Sequence, residues 1–186
     1  MDAEIWVITG WQGRGKTTFC KLLIEAAQRT GWDVSGMYSP AVYKKGMKES
    51  IHAVDIRSGV EKPLASMIRQ SPMDLSLGKW YYSLQTLEWG NQALLAGAPC
   101  DLFVIDELGP LELNLSQGWT NALRVIRRAN FKLALVVVRP ELLSQVHLSL
   151  EPTHYLYIDR IEEAQAMVDE HLPWLEHLKV ANPAGG

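Results

Sequence analysis

Eight residues near the amino terminus, Gly10-Trp11-Gln12-Gly13-Arg14-Gly15-Lys16-Thr17, constrain this chain more than any other segment. They fill every fixed position of the pattern G-x-x-x-x-G-K-[ST]. At average residue frequencies such a match arises by chance in about one chain of this length in a hundred, or fewer. Gly10 and Gly15 permit a wide backbone turn, so that successive N–H groups converge on phosphate oxygens. A helix after the turn adds the positive end of its dipole. Lys16 brings a point charge to the β and γ phosphates, and the Thr17 hydroxyl can fill one position of a Mg2+ octahedron. A capped glycine turn accounts for the glycines and Thr17 but leaves Lys16 without a purpose. The expected nucleotide-binding set is Gly10, Trp11, Gln12, Gly13, Arg14, Gly15, Lys16, Thr17 and Thr18.

The flanks supply the context the motif needs. Ile5 to Thr9 is a short apolar run ended by Gly10, which predicts a buried strand. Phe19, Leu22, Leu23, Ala26 and Ala27 recur at helical spacing, and Gly31 supplies a stop. Further strands are predicted at Val34 to Tyr38, Leu102 to Ile105, Leu133 to Val138 and His154 to Ile158. Helices are predicted from Leu84 to Gly97, around Trp119 to Ile126 from a start near Ser116, and from Asp159 and Glu162 to about Leu172. Alternation over Ile51 to Ile56, followed by Ser58-Gly59, predicts a β-hairpin insertion over about 39–64. Strands alternating with helices imply right-handed crossovers and a mostly parallel central sheet covered on both faces. The expected fold is an α/β three-layer domain over 1–178, with a disordered tail at 179–186.

Composition narrows the function. A formal net charge of −3 argues against a general nucleic-acid binder, which carries a basic excess. No run approaches the roughly 20 apolar residues that span a bilayer. The acidic start Met1-Asp2-Ala3-Glu4 does not resemble a secretory signal. Cys20 and Cys100 lie far apart, which suits a reducing compartment. A cytoplasmic protein with no membrane partner is expected.

A metal-bound triphosphate needs a carboxylate at the end of a neighbouring strand, and Asp106 follows Leu102-Phe103-Val104-Ile105. The adjacent Glu107 can deprotonate a water attacking the γ-phosphorus. The alternative for Glu107 is a loop cap or a surface ion pair. The pair favours hydrolysis over transfer to a substrate hydroxyl. Arg139 ends the run Leu133 to Val138, so it should emerge at the carboxyl edge of the sheet, where charge in phosphoryl transfer calls for a cation. A solvated surface charge is the competing reading, also for Arg14, Arg127 and Arg128.

Gly10 to Thr18, Ser35-Gly36-Met37-Tyr38, Gly59 and Asp106-Glu107-Leu108-Gly109-Pro110-Leu111-Glu112-Leu113 together resemble the THEP-type, or cancer-related, nucleoside-triphosphatases. The likeness runs from about Glu4 to about Val138. It implies a P-loop fold and Mg2+-dependent hydrolysis of ATP, GTP and other nucleoside triphosphates with broad base tolerance. Lys16 and Thr17 would then hold phosphate and metal, Asp106 would support the metal, and Glu107 would be the base. Glu112 matches an acidic position of the family; by its own chemistry it can equally cap the helix expected near Ser116. Trp11 and Gln12 stand where family loops carry proline, and Ser39-Pro40-Ala41 replaces the usual acidic residue and arginine after Tyr38.

Other signals point nowhere specific. The five histidines lack metal-ligand spacing. Lys44, Lys45 and Lys48 read as a solvated face of the hairpin, and most of the seven tryptophans as packing residues. Two alternatives to hydrolysis share the loop. One is a nucleoside or nucleotide kinase, for which residues 39–82 are long enough to hold a second pocket. The other is a nucleotide-dependent binding module that hydrolyses slowly.

Overall fold

The computed structural model describes residues 3–181. Among the described residues ten strands join in one sheet, and helices cover both of its faces. β1 (Glu4–Thr9) ends at Gly10, and α1 (Lys16–Arg29) starts directly after Gly15, whose φ of 105° suits glycine alone. Phe19, Cys20, Leu23, Ala26 and Ala27 form the buried stripe of α1. The helix closes at Thr30, whose N–H reaches back to the carbonyls of Ala26 and Ala27, and Gly31 at φ 79° redirects the chain.

β2 (Val34–Tyr38), β8 (Leu102–Leu108), β9 (Leu133–Val138) and β10 (His154–Tyr157) join β1 in a parallel half, in the order β10-β1-β9-β8-β2. Each residue of β9 is fully buried, as a strand covered on both faces must be. Alternation along β8 feeds two cores. Leu102 and Val104 pack with α1 and α6 (Ala164–Ala181), whereas Phe103 and Ile105 pack with α2 (Leu84–Ala96), α4 (Thr120–Arg128) and α5 (Leu143–Leu150). The three-layer α/β arrangement is the one expected. At Gly36 a Cβ would lie 1.9 Å from the Val104 carbonyl oxygen, so β2 and β8 meet here only because the side chain is missing.

The other half is antiparallel and larger than a hairpin. β3 (Ala41–Lys44), β4 (Met47–Asp55), β5 (Glu61–Ser66), β6 (Leu75–Leu77) and β7 (Trp80–Tyr82) extend the sheet from β2 in the order β4-β5-β7-β6, with β3 also on β4. The expected hairpin is present as β4 and β5, joined through Gly59 at φ 71°. Lys45 and Gly46, at φ 50° and 77°, make the tight two-residue turn between β3 and β4. Gly78 begins a similar turn between β6 and β7. The insertion therefore runs on to Tyr82 rather than ending near 64, through a stretch too short in each strand to show a period.

Three boundaries also move. The helix expected near Ser116 starts at Thr120, because a separate turn of helix, α3 (Pro110–Leu113), precedes it. Asp159 and Glu162 do not form a helix start; a single 3-10 turn over Ile161–Glu163 leads into α6. α6 continues past Leu172 and through Pro173 to Ala181, so 179–181 are helical, and 182–186 lie outside the described residues. No described helix is long and apolar enough to cross a membrane.

Candidate active site

β1 lies between β9 and β10, and the chain leaves it for β2 across two intervening strands. This reversal opens a crevice at the carboxyl ends of the parallel strands, the position where open α/β sheets take ligands. A cavity of about 670 Å³ occupies it. Gly10, Trp11, Gln12, Gly13, Gly15, Lys16, Thr17 and Thr18 line the cavity together with Asp106, Glu107, Glu112 and Arg139. Arg14 does not line it; its side chain is exposed and its N–H donates to the Trp11 carbonyl.

The loop takes its shape from contacts that leave no room for side chains. A Cβ at Gly10 would lie 2.1 Å from the Ile158 carbonyl oxygen, and one at Gly15 would lie 2.8 Å from the Ile161 Cα. Positive φ at Gly10, Gly13 and Gly15 completes the turn. Lys16, although charged, is only 7% exposed, and its Nζ donates to the carbonyls of Gly10 at 2.6 Å and Trp11 at 2.9 Å. Burial lowers its pKa, against the pull of the Glu107 and Asp106 carboxylates. The ammonium is thus fixed across the loop before any anion arrives.

Asp106 is almost wholly buried at the end of β8. Burial raises its pKa to about 7, partly offset by a hydrogen bond from the Thr17 hydroxyl; Glu107 adds to the rise, and the Ser39 N–H opposes it. Its Oδ2 has no hydrogen-bond partner among the described residues. A hard cation fits this arrangement. A hydroxyl and a carboxylate meet there, and one carboxylate oxygen is left buried and unsatisfied, which is costly without a ligand. Among the described residues no group of three or more His, Cys, Asp or Glu forms a metal cage. Mg2+ needs none, since it takes most of its ligands from water and phosphate.

Glu107 and Arg139 face each other. Arg139 Nε donates to Glu107 Oε1 at 2.8 Å, and its Nη2 lies 2.7 Å from the same oxygen. Glu107 is therefore in the cavity and ion-paired at once. Glu112 has a different job. It is 7% exposed, and its Oε2 accepts from the Gly109 N–H and its Oε1 from the Trp119 N–H, both at 2.8 Å. It caps α3 and ties down the approach to α4. Gly118 must be glycine here, since a Cβ would fall 1.9 Å from Glu112 Oε1.

Sequence reasoning missed the residues that the antiparallel half contributes. Lys48, assigned to a solvated face, lines the cavity from β4, and so do Ile51, Leu64, Trp80 and Tyr82 from β4, β5 and β7. Ser39 also lines it, with a buried hydroxyl that lacks a partner among the described residues. No local pattern marks these positions; register across the sheet brings them in.

Comparison with known proteins identifies the family. A family model described as NTPase matches residues 5–162. The nucleoside-triphosphatase THEP1 of Methanosarcina barkeri is 31% identical over 134 residues, covering 71% of this chain and 75% of that protein. THEP1 of Caldivirga maquilingensis is 28% identical over 170 residues, covering 90% and 92%. The solution structure of a human cancer-related nucleoside triphosphatase superposes with a TM-score of 0.66 at 21% identity, covering 94% of this chain and 98% of that one. The crystal structure of THEP1 from Aquifex aeolicus gives 0.62 at 20% identity, covering 92% and 99%. These two likenesses speak for the fold. With a phosphate loop, an Asp-Glu pair at the next strand end and a family match over most of its length, the chain belongs to the THEP1-type nucleoside-triphosphatase family.

Proposed function

We propose that this chain is a Mg2+-dependent nucleoside-triphosphate phosphohydrolase that converts NTP and water to NDP and phosphate. The observation that carries the reading is the convergence of Lys16, Thr17, Asp106 and Glu107 with the glycine loop on one cavity. The amides and the Lys16 ammonium receive the β and γ phosphates. Thr17 and Asp106 would hold the metal, Asp106 through its otherwise unsatisfied Oδ2. Magnesium, when bound, would supply divalent positive charge beside the phosphates.

Glu107 is the base. Arg139 occupies its Oε1 and leaves Oε2 for the attacking water. As the water oxygen bonds to the γ-phosphorus, Glu107 takes its proton. The bond from the γ-phosphorus to the β–γ bridging oxygen breaks, and its electron pair leaves with the NDP. Ser39 and its free hydroxyl add a donor beside Asp106. The relatives are named for nucleoside triphosphates as a class, and broad base tolerance is proposed on that ground. A cytoplasmic setting is proposed on the two free thiols.

Glu107→Gln keeps size and loses basicity. Turnover should fall by roughly 10²–10⁴-fold with nucleotide binding retained. Phosphate release and nucleotide affinity, measured side by side, check it. Undiminished release would remove Glu107 from the base role.

A further inference from the structure

Along the sheet, the phosphate loop and the antiparallel half lie on opposite sides of the Asp106–Glu107 pair. The loop follows β1, two strands to one side of β8; β4, β5 and β7 lie beyond β2 on the other. Thr17 and Asp106 meet, so the metal and the γ-phosphate end of a nucleotide face β8. The part of the cavity beyond β8 therefore opens from the γ-phosphate, away from the loop.

That part has walls unlike the rest. Leu64, Leu87, Leu111 and Trp119 are buried and form an apolar floor, and Trp80 and Tyr82 are half-buried along one side. Hydrolysis needs room for one water beside Glu107 and has no use for the half-buried Trp80 and Tyr82 rings that line this part. Small-molecule sites have this composition: apolar and aromatic walls with a few convergent polar groups. The polar groups are present. Lys48 makes no ion pair among the described residues, stands 5.3 Å above the Trp80 ring, and is half-buried within reach of the charges of Glu107 and Asp106. Tyr82 is close enough to sense Glu107, Arg139 and Glu112.

We propose that this chamber is a binding site for a second substrate, a planar aromatic or heteroaromatic alcohol, that accepts the γ-phosphoryl group in place of water. The inference rests on the nucleotide-site reading given above. The ring lies against Trp80 and Tyr82, and the hydroxyl points to Glu107. The hydroxyl oxygen bonds to the γ-phosphorus, Glu107 Oε2 takes the hydroxyl proton, and the bridging P–O bond breaks with its electron pair going to the NDP. Lys48, without an ion pair among the described residues, neutralises charge on the transferring oxygens, whereas Arg139 is held by Glu107 through Nε and Nη2. The products are NDP and a phosphate monoester.

The full chain, given Mg2+ and ATP labelled in the γ-phosphate, is incubated with adenosine, guanosine or thymidine, and separately with pyridoxine as an aromatic alcohol that is not a nucleoside. Label is counted in free phosphate and in organic monoester. Label in the monoester that is absent without a probe is the expected result with one of these compounds, and the arm that responds tells a nucleoside from another aromatic alcohol. Trp80→Ala should move the ratio of transferred to released phosphate about tenfold toward release, the scale of one lost stacking platform. Label confined to free phosphate with all four probes overturns the acceptor site and leaves the hydrolase reading standing. Transfer that is indifferent to Trp80→Ala overturns the placement in this chamber. Label in neither fraction overturns the nucleotide reading itself.

Discussion

Glu112 spends both carboxylate oxygens on backbone N–H groups, and in doing so it accepts burial that a carboxylate ordinarily avoids. Desolvation raises its pKa from 4.5 to about 7, against the opposing effect of those two hydrogen bonds. An acid whose folded pKa is raised contributes stability that is fully present below its unfolded pKa and is lost as pH rises through the folded one. Here that window runs from 4.5 to about 7. Glu112→Gln is neutral throughout, so groups elsewhere cancel in the comparison. Between pH 4 and pH 8 the wild type should lose up to about 3 kcal/mol of unfolding free energy relative to the variant. Urea unfolding at both pH values checks it, and a pH-independent difference would contradict a titrating, buried Glu112. At this scale the loop residues and Asp106-Glu107 were legible, because each fixed position answers a local demand: no side chain, a positive charge, a metal oxygen. Glu112 could be read from its own chemistry as a helix cap, but which helix it caps could not, since its partners Gly109 and Trp119 are set by the path of α3.

Gly90 sits inside α2, where propensity alone recommends alanine by about 1 kcal/mol. A Cβ there would lie 2.4 Å from Cζ3 of Trp119, whose ring is buried between α2 and α4 and also borders the cavity. Overpacking of this kind costs about 1–3 kcal/mol, more than the propensity gain. Gly90→Ala should therefore lower the melting temperature, and a rise would mean the Trp119 ring moves aside freely. The sequence signal for α2 was weakened by this glycine, whose reason lies on a different helix. Elements of the parallel half were easier to read, because Leu133 to Val138 and Leu102 to Ile105 are buried on both faces and show as unbroken apolar runs. β6 and β7, with three residues each, carry no period, so the arm beyond Ser66 stayed hidden.

At the scale of the whole molecule, one sheet serves two ends of a cleft. Its parallel half supplies the phosphate loop and the carboxylate pair; its antiparallel half supplies Lys48, Trp80 and Tyr82 opposite them. The first half follows from rules of chain connection that a strand–loop–helix opening already invokes. The second depends on register across β4, β5 and β7, with Ile51 paired to Ala65 and Ala65 to Tyr82, pairs that no short window of sequence contains. Both halves have a function only if the loop holds a triphosphate. The most direct test is phosphate release from ATP, GTP, CTP and UTP, with and without Mg2+, by the wild type beside Lys16→Ala. The predicted result is Mg2+-dependent release from more than one base that the substitution reduces by about 10²-fold or more; release that the Lys16→Ala protein sustains at the wild-type rate would contradict it.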